Sequence, residues 1–271
     1  MLLEELKPEI SSFLVSENIP HNKLKIVRKG SHQCVTDEGN VFIKVNRSML
    51  PAQNSLNAAI NIGSEMVQPL YPSLLALPND YFLTIWKYLN CESISLTRRS
   101  LLSGVEDLVA IHQTLPIFDF PNGNLLEEVL LKRANHLANL EVAENVNCLV
   151  KKYISPIYQN KQKSYLTHGD AHLNNLVSIN NVSHWIDYEQ VKIAPREWDI
   201  SCLIVDLEKK NPSLVTDVLN AFEAAEPINK PLLDNLILGR KLSVITHIAN
   251  RQPKLSWLEI ANMVDLETQA G

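Results

Sequence analysis

Cysteine is sparse and scattered in this chain: Cys34, Cys91, Cys148 and Cys202 form no C-x-x-C pair. That excludes a zinc framework and a disulfide scaffold, and it suits a reducing cytoplasm. No run of 18 or more apolar residues exists, so no membrane span is expected. Glu4, Glu5, Glu9 and Glu17 interrupt the first stretch, which does not read as a signal peptide. Low-complexity segments and clear repeats are missing too. What is present is a 45% apolar fraction, enough for a packed core, in 271 residues that allow one large domain or two lobes.

The formal charge of −5 is unevenly spread. Residues 1–89 hold eight Lys/Arg against eight Asp/Glu, and residues 90–271 hold seventeen against twenty-two. An acidic second half argues against nucleic acid as a partner and for a neutral or cationic small ligand, unless it is ordinary solvated surface.

Leu3, Leu6, Ile10 and Leu14 recur at helical spacing, which predicts a helix over 3–17. Pro8 lies inside that pattern and allows a start only there. Strand-like runs follow at 24–27, 33–36 and 41–45, the last two joined by the turn Asp37-Glu38-Gly39-Asn40. A helix is expected over 49–62, then strands at 74–77 and 81–88. Beyond residue 90 the pattern turns helical. Ser95 or Thr97 can cap a helix running to about Leu115, and further helices are expected at 125–155, 198–209, 213–225, 231–249 and 255–267. Five strands with one inserted helix, then helices, define an α+β fold.

The chemistry gathers in one stretch. His168-Gly169-Asp170 is followed by Asn175 and then by Ile186-Asp187. The apolar runs 176–179 and 182–186 flank Asn180-Asn181, a hairpin-turn pair that brings Asp187 back beside Asn175. Phosphoryl transfer needs this set: one Asp to orient and take the proton of an attacking hydroxyl, and an Asn and an Asp to hold Mg²⁺ against phosphate oxygens.

These residues resemble the pattern of the aminoglycoside phosphotransferase and choline/thiamine kinase family: H-G-D-x-x-x-x-N, hydrophobic-Asp, then a Pro and a further Asp. Here it reads His168 to Asn175, Ile186-Asp187, and Pro195 followed by Asp199. The resemblance implies a bilobal protein-kinase-like fold, with a small N-terminal antiparallel β lobe carrying one helix and a larger, mainly helical C-terminal lobe. Residues 1–89 would bind nucleotide, and residues 90–271 would carry catalysis and the substrate. It implies ATP as donor, with GTP open, Mg²⁺ as the metal, and a small hydroxyl compound, neutral or cationic, as acceptor. Oligomeric state stays open.

By the same resemblance Asp170 is the catalytic base, and Asn175 and Asp187 are the Mg²⁺ ligands. Lys44 closes a Val41-Phe42-Ile43-Lys44 strand like the V-A-I-K strand of kinases, so it would pair with phosphates while Phe42 lies over the adenine. Gly30 and Ser31 stand where the phosphate-covering loop belongs. Lys87 and Tyr88 fall in the hinge whose backbone would bond the purine. Glu189 would face metal, a cationic substrate or solvent. His168 supports the loop, and Asp199 ties the loop backbone to the large lobe. His112 reads as a satisfied core histidine.

One departure from the pattern concerns Lys44. Kinases pair this lysine with a Glu on the next helix, yet residues 45–64 contain no Asp or Glu. Gln53, Asn54 or Asn57 could orient the ammonium by a neutral hydrogen bond, Gln53 most directly, or Glu65 could reach it. The missing Glu also motivates an alternative, a pseudokinase used as a binding module. A metal hydrolase built on His168, Asp170 and His172 would need a further Asn-His or His-x-His pair downstream, and none follows Asp187.

Overall fold

A computed structural model describes residues 3–19, 24–28, 33–36, 41–62, 69–77, 80–87, 92–93, 96–121, 125–159, 162–179 and 182–266. The chain divides into two compact units. The first comprises Met1–Ser95, Thr114–Phe120 and Asn175–Val191; the second comprises Leu96–Gln113, Pro121–Asn174 and Lys192–Gly271. A single cut at 89/90 therefore does not describe the division, because the hairpin after Asn174 belongs with the N-terminal strands. Among the described residues no helix is long and apolar enough to cross a membrane.

The first unit is an antiparallel sheet with a helix on each face. Its strands are β1 (Leu24–Arg28), β2 (Gln33–Thr36), β3 (Val41–Asn46), β4 (Pro69–Leu77) and β5 (Tyr81–Lys87), in the order β1-β2-β3-β5-β4. Helix α1 (Leu3–Ser16) begins ahead of Pro8, which lies inside it near the N-terminal end. It buries Leu6, Ile10 and Leu14 against Val41, Ile43, Val45, Tyr81, Leu83 and Ile85. The spacing of four along the helix and two along each strand makes that face. Alternation then turns Phe42 and Lys44 to the opposite face, where α2 (Met49–Ile62) packs Leu56 and Ala59 on Trp86, with Phe42 and Leu74 beside them.

A second, small sheet completes this unit: β6 (Glu92–Ser93), β8 (Leu176–Ile179) and β9 (Val182–Trp185), in that order. The register runs from Leu176 opposite Trp185 to Ile179 opposite Val182. Asn180 and Asn181, the turn pair of the sequence, lie outside the described residues.

The second unit is helical. Helix α3 (Arg98–Gln113) starts at a reciprocal pair, in which the Ser100 N–H donates to the Thr97 hydroxyl and the Thr97 N–H to the Ser100 hydroxyl, both at 3.1 Å. Thr97 is therefore the cap. The stretch 125–155 is not one helix. It forms α4 (Leu125–Asn135), α5 (Leu140–Leu149), a π turn (Val150–Ile154) and α6 (Ser155–Gln159). The break comes at Asn139, whose side chain accepts from the Val142 N–H and caps α5. Strands β7 (Tyr165–Thr167) and β10 (Lys192–Ala194) pair antiparallel. Helices α7 (Glu197–Lys210), α8 (Val215–Ala225), α9 (Lys230–Arg251) and α10 (Trp257–Met263) follow. Helix α7 is buried from Glu197 through Ile204, and α9 packs along it. A Cβ on Gly239 would come within 3.2 Å of Ile154 and Leu126 side-chain atoms, so the glycine lets α9 approach closely just ahead of Arg240.

Candidate active site

The site residues form one cluster in each unit. In the first, Lys44 reaches out of β3 with only 6% of its surface exposed. Its Nζ lies 2.6 Å from Asp187 Oδ1 and 2.7 Å from Glu189 Oε1. Burial alone would lower the lysine pKa; the charges of Asp187 and then Glu189 outweigh it and leave the pKa raised. Asp187 ends the β8–β9 hairpin in the left-handed region, φ 71° and ψ 58°, a conformation that Asp tolerates better than most residues. The chain then turns through a 3₁₀ segment, Tyr188–Gln190, which buries Tyr188, packs on α2 and brings Glu189 onto Lys44.

This arrangement corrects two sequence expectations. The Gln53 amide does not orient Lys44; it donates to Asn57 Oδ1 at 2.8 Å, one turn along α2. Glu189, read as facing metal, cationic substrate or solvent, pairs with the lysine. The acids missing from residues 45–64 are supplied from far along the chain. Glu65 lies outside the described residues. Asn175 is buried, and its carbonyl accepts the Ile186 N–H at 2.9 Å, so the hairpin sets Asn175 opposite the residue before Asp187. Phe42 is half-buried, packed beside α2, and Lys87 is exposed at the end of β5. Gly30, Ser31 and Tyr88 lie outside the described residues.

The second cluster surrounds His168-Gly169-Asp170. Asp199, on α7 and fully buried, accepts the His168 N–H at Oδ2 and the Gly169 N–H at Oδ1, both at 2.8 Å. His112 Nε2 lies 2.9 Å from the same Oδ2. Burial would raise the Asp199 pKa, but the hydrogen bond with His112 and the charges near it leave the pKa lowered. The Trp198 indole N–H donates to the Gly169 carbonyl at 2.8 Å. Gly169 has φ 82°, where a side chain would be strained. His168 is buried, and its Nδ1 accepts the Asp170 N–H at 3.3 Å. The loop is thus fixed to α7 by backbone and side-chain bonds together.

Asp170 is held at both oxygens. Arg240 Nη1 lies 2.9 Å from Oδ1, and His172 Nε2 lies 3.4 Å from Oδ2. Burial would raise the Asp170 pKa, yet the His172 hydrogen bond and the Arg240 charge hold it well below the usual carboxylate range. Arg240 went unnoticed in the sequence, because no spacing links position 240 to the loop seventy residues earlier. Lys192 was missed as well: its ammonium lies 4.5 Å from the Trp198 ring centroid, and burial lowers its pKa.

An α+β architecture of this kind, with a lysine-bearing strand, a His-Gly-Asp loop tied to a buried Asp, and a following Asn/Asp hairpin, is the protein-kinase-like fold of the aminoglycoside phosphotransferases and choline kinases. Aminoglycoside phosphotransferase APH(4)-Ia superposes with a TM-score of 0.69 at 12% identity, over 98% of this chain and 100% of that one. A choline/ethanolamine kinase family protein from Mesorhizobium loti gives 0.66 at 16% identity, over 97% and 96%. The amicoumacin kinase hAmiN, solved with AMP-PNP, Ca²⁺ and amicoumacin, gives 0.68 at 12% identity, over 97% and 93%. No family model matches the sequence, and no curated protein matches it either.

Proposed function

We propose that the chain is an ATP-dependent kinase that transfers the γ-phosphoryl group to a hydroxyl of a small molecule. The observation that carries this reading is the buried Lys44 ammonium held between the Asp187 and Glu189 carboxylates. A strand lysine kept charged and oriented in this way can bind an anionic phosphate chain. In this reading the first unit holds the nucleotide and the helices of the second hold the acceptor.

The oxygen donors suit a hard divalent cation. The Asp187 side chain is 37% exposed despite its bond to Lys44, and Asn175 stands across the hairpin end. These two residues would hold Mg²⁺, which when bound would neutralise charge on the phosphate oxygens. Asp170, ionised by its Arg240 and His172 contacts, orients the acceptor hydroxyl and takes its proton at a carboxylate oxygen. Asp199 and Trp198 keep the His168-Gly169-Asp170 backbone in place, so that Asp170 need not reorganise as the proton moves. The pseudokinase alternative loses its main motive, because Lys44 does have carboxylate partners.

Calorimetric titration with ATP, with and without Mg²⁺, tests the reading. Wild-type protein should bind ATP more tightly with Mg²⁺, and Asp187→Ala should lose that dependence. An unchanged Mg²⁺ dependence in the variant would move the metal role elsewhere.

A further inference from the structure

Asp187 and Glu189 meet the same ammonium in different surroundings. Glu189 Oε1 is closed off from solvent, and Lys44, at 2.7 Å, is the partner it has among the described residues. The two make an ion pair without a well-aligned hydrogen bond, so charge more than direction holds it. Asp187 touches Lys44 through Oδ1, and its side chain is 37% exposed against 22% for Glu189. One acid is enclosed with the lysine; the other also faces outward.

The backbone explains the difference. Asp187 stands at the end of the hairpin in a left-handed conformation, next to the residue whose N–H bonds the Asn175 carbonyl. Two residues on, Glu189 sits inside a closed turn: the Val191 N–H donates to the Tyr188 carbonyl at 3.2 Å, and the Tyr188 side chain is buried. That turn packs against α2, the helix that carries no acid of its own. Lys44 is buried, and a buried ammonium stripped of its counter-ion is strongly unfavourable. With Asp187 as its only acid, Lys44 would be stranded whenever Asp187 turned to a metal ion.

We propose, resting on the kinase reading above, that Glu189 is the resident counter-ion of Lys44 and a positioning residue, not a metal ligand. It takes the place of the acid that α2 lacks. Because Glu189 stays on the lysine, Asp187 is free to exchange Lys44 for Mg²⁺ without leaving a buried charge alone. The phosphate chain then meets an ammonium already fixed in place.

Calorimetry tests this with ATP, with and without Mg²⁺, on wild type, Glu189→Gln, Lys44→Met and the double variant. Adenosine serves as the phosphate-free control. The quantity read is the factor by which Mg²⁺ tightens ATP. Glu189→Gln keeps the shape and removes the charge, and it should lower that factor about tenfold while adenosine affinity stays within about threefold. In the Lys44→Met background the same change should alter the factor by less than about threefold, because no ammonium is left to hold. An equal loss in both backgrounds makes Glu189 a metal ligand and overturns the proposal. So does an unchanged factor in Glu189→Gln, or a matching loss of adenosine affinity, which marks a general distortion. If Lys44→Met binds no ATP, urea unfolding gives the second reading. Adding Glu189→Gln should then raise the midpoint of Lys44→Met, in which the buried Glu189 oxygen has lost its partner, and a double variant no more stable than Lys44→Met overturns the proposal. Tighter ATP binding with Mg²⁺ in wild type, with Glu189→Gln behaving as wild type, leaves the kinase reading standing while this proposal falls. If wild type binds no ATP, both fall.

Discussion

Replacing Asp199 by alanine removes the acceptor for two buried backbone donors, the N–H groups of His168 and Gly169, each bonded at 2.8 Å. The carboxylate is fully buried, so the two donors are left without solvent when it is removed. Each orphaned buried donor costs about 1–3 kcal/mol, so the pair predicts a loss of about 2–6 kcal/mol. The loss of the His112 contact adds to it. Asp199→Asn keeps one acceptor oxygen but aims an amide donor at a backbone donor, and it should fall between wild type and alanine. Urea unfolding followed by far-UV circular dichroism reads the loss, because the helices of the second unit dominate that signal. A loss below about 1 kcal/mol for Asp199→Ala, the range of an ordinary surface change, would refute the claim that Asp199 anchors the loop.

Gln53→Ala should change turnover by less than about threefold, since Gln53 bonds Asn57 and Lys44 has two carboxylates instead; a tenfold loss in steady-state rate would contradict this. The pH dependence follows from the depressed pKa of Asp170. Its ion pair contributes stability in full above the ordinary carboxylate value of about 4 and loses it as pH falls through the lower folded value. Wild-type turnover should therefore show no acid limb from Asp170 between about pH 5 and 8, while Arg240→Ala should move that limb upward. A pH–rate profile with the same limb in both proteins would separate Arg240 from Asp170.

Local signals made much of the site readable. His168-Gly169-Asp170, Asn175 and Asp187 are close in sequence, and the antiparallel pairing of the two apolar runs, from Leu176 opposite Trp185 to Ile179 opposite Val182, sets Asn175 and Asp187 side by side. The alternation Val41, Ile43, Val45 against Phe42, Lys44 was equally plain, because one face of β3 lies on α1 and the other toward α2. Two things were not readable. The partners of Lys44 come from 143 and 145 positions away, so a search confined to the next helix found only amides. Arg240 lies on a long helix next to Lys241, where an Arg-Lys pair looks like a solvated edge; only the packing of α9 along α7, helped by Gly239, turns it onto Asp170. The helix break near residue 136 did leave a mark, since Asn139 is a cap residue ahead of an apolar run.

The central claim is phosphoryl transfer with Asp170 as the group that receives the proton. Its most direct measurement is transfer of labelled γ-phosphate from ATP to a panel of small hydroxyl compounds, by wild type and by Asp170→Asn, with nucleotide affinity measured alongside. The account predicts transfer by wild type, loss of at least about a hundredfold in Asp170→Asn, and nearly unchanged nucleotide affinity. Transfer by Asp170→Asn within about threefold of wild type would contradict it.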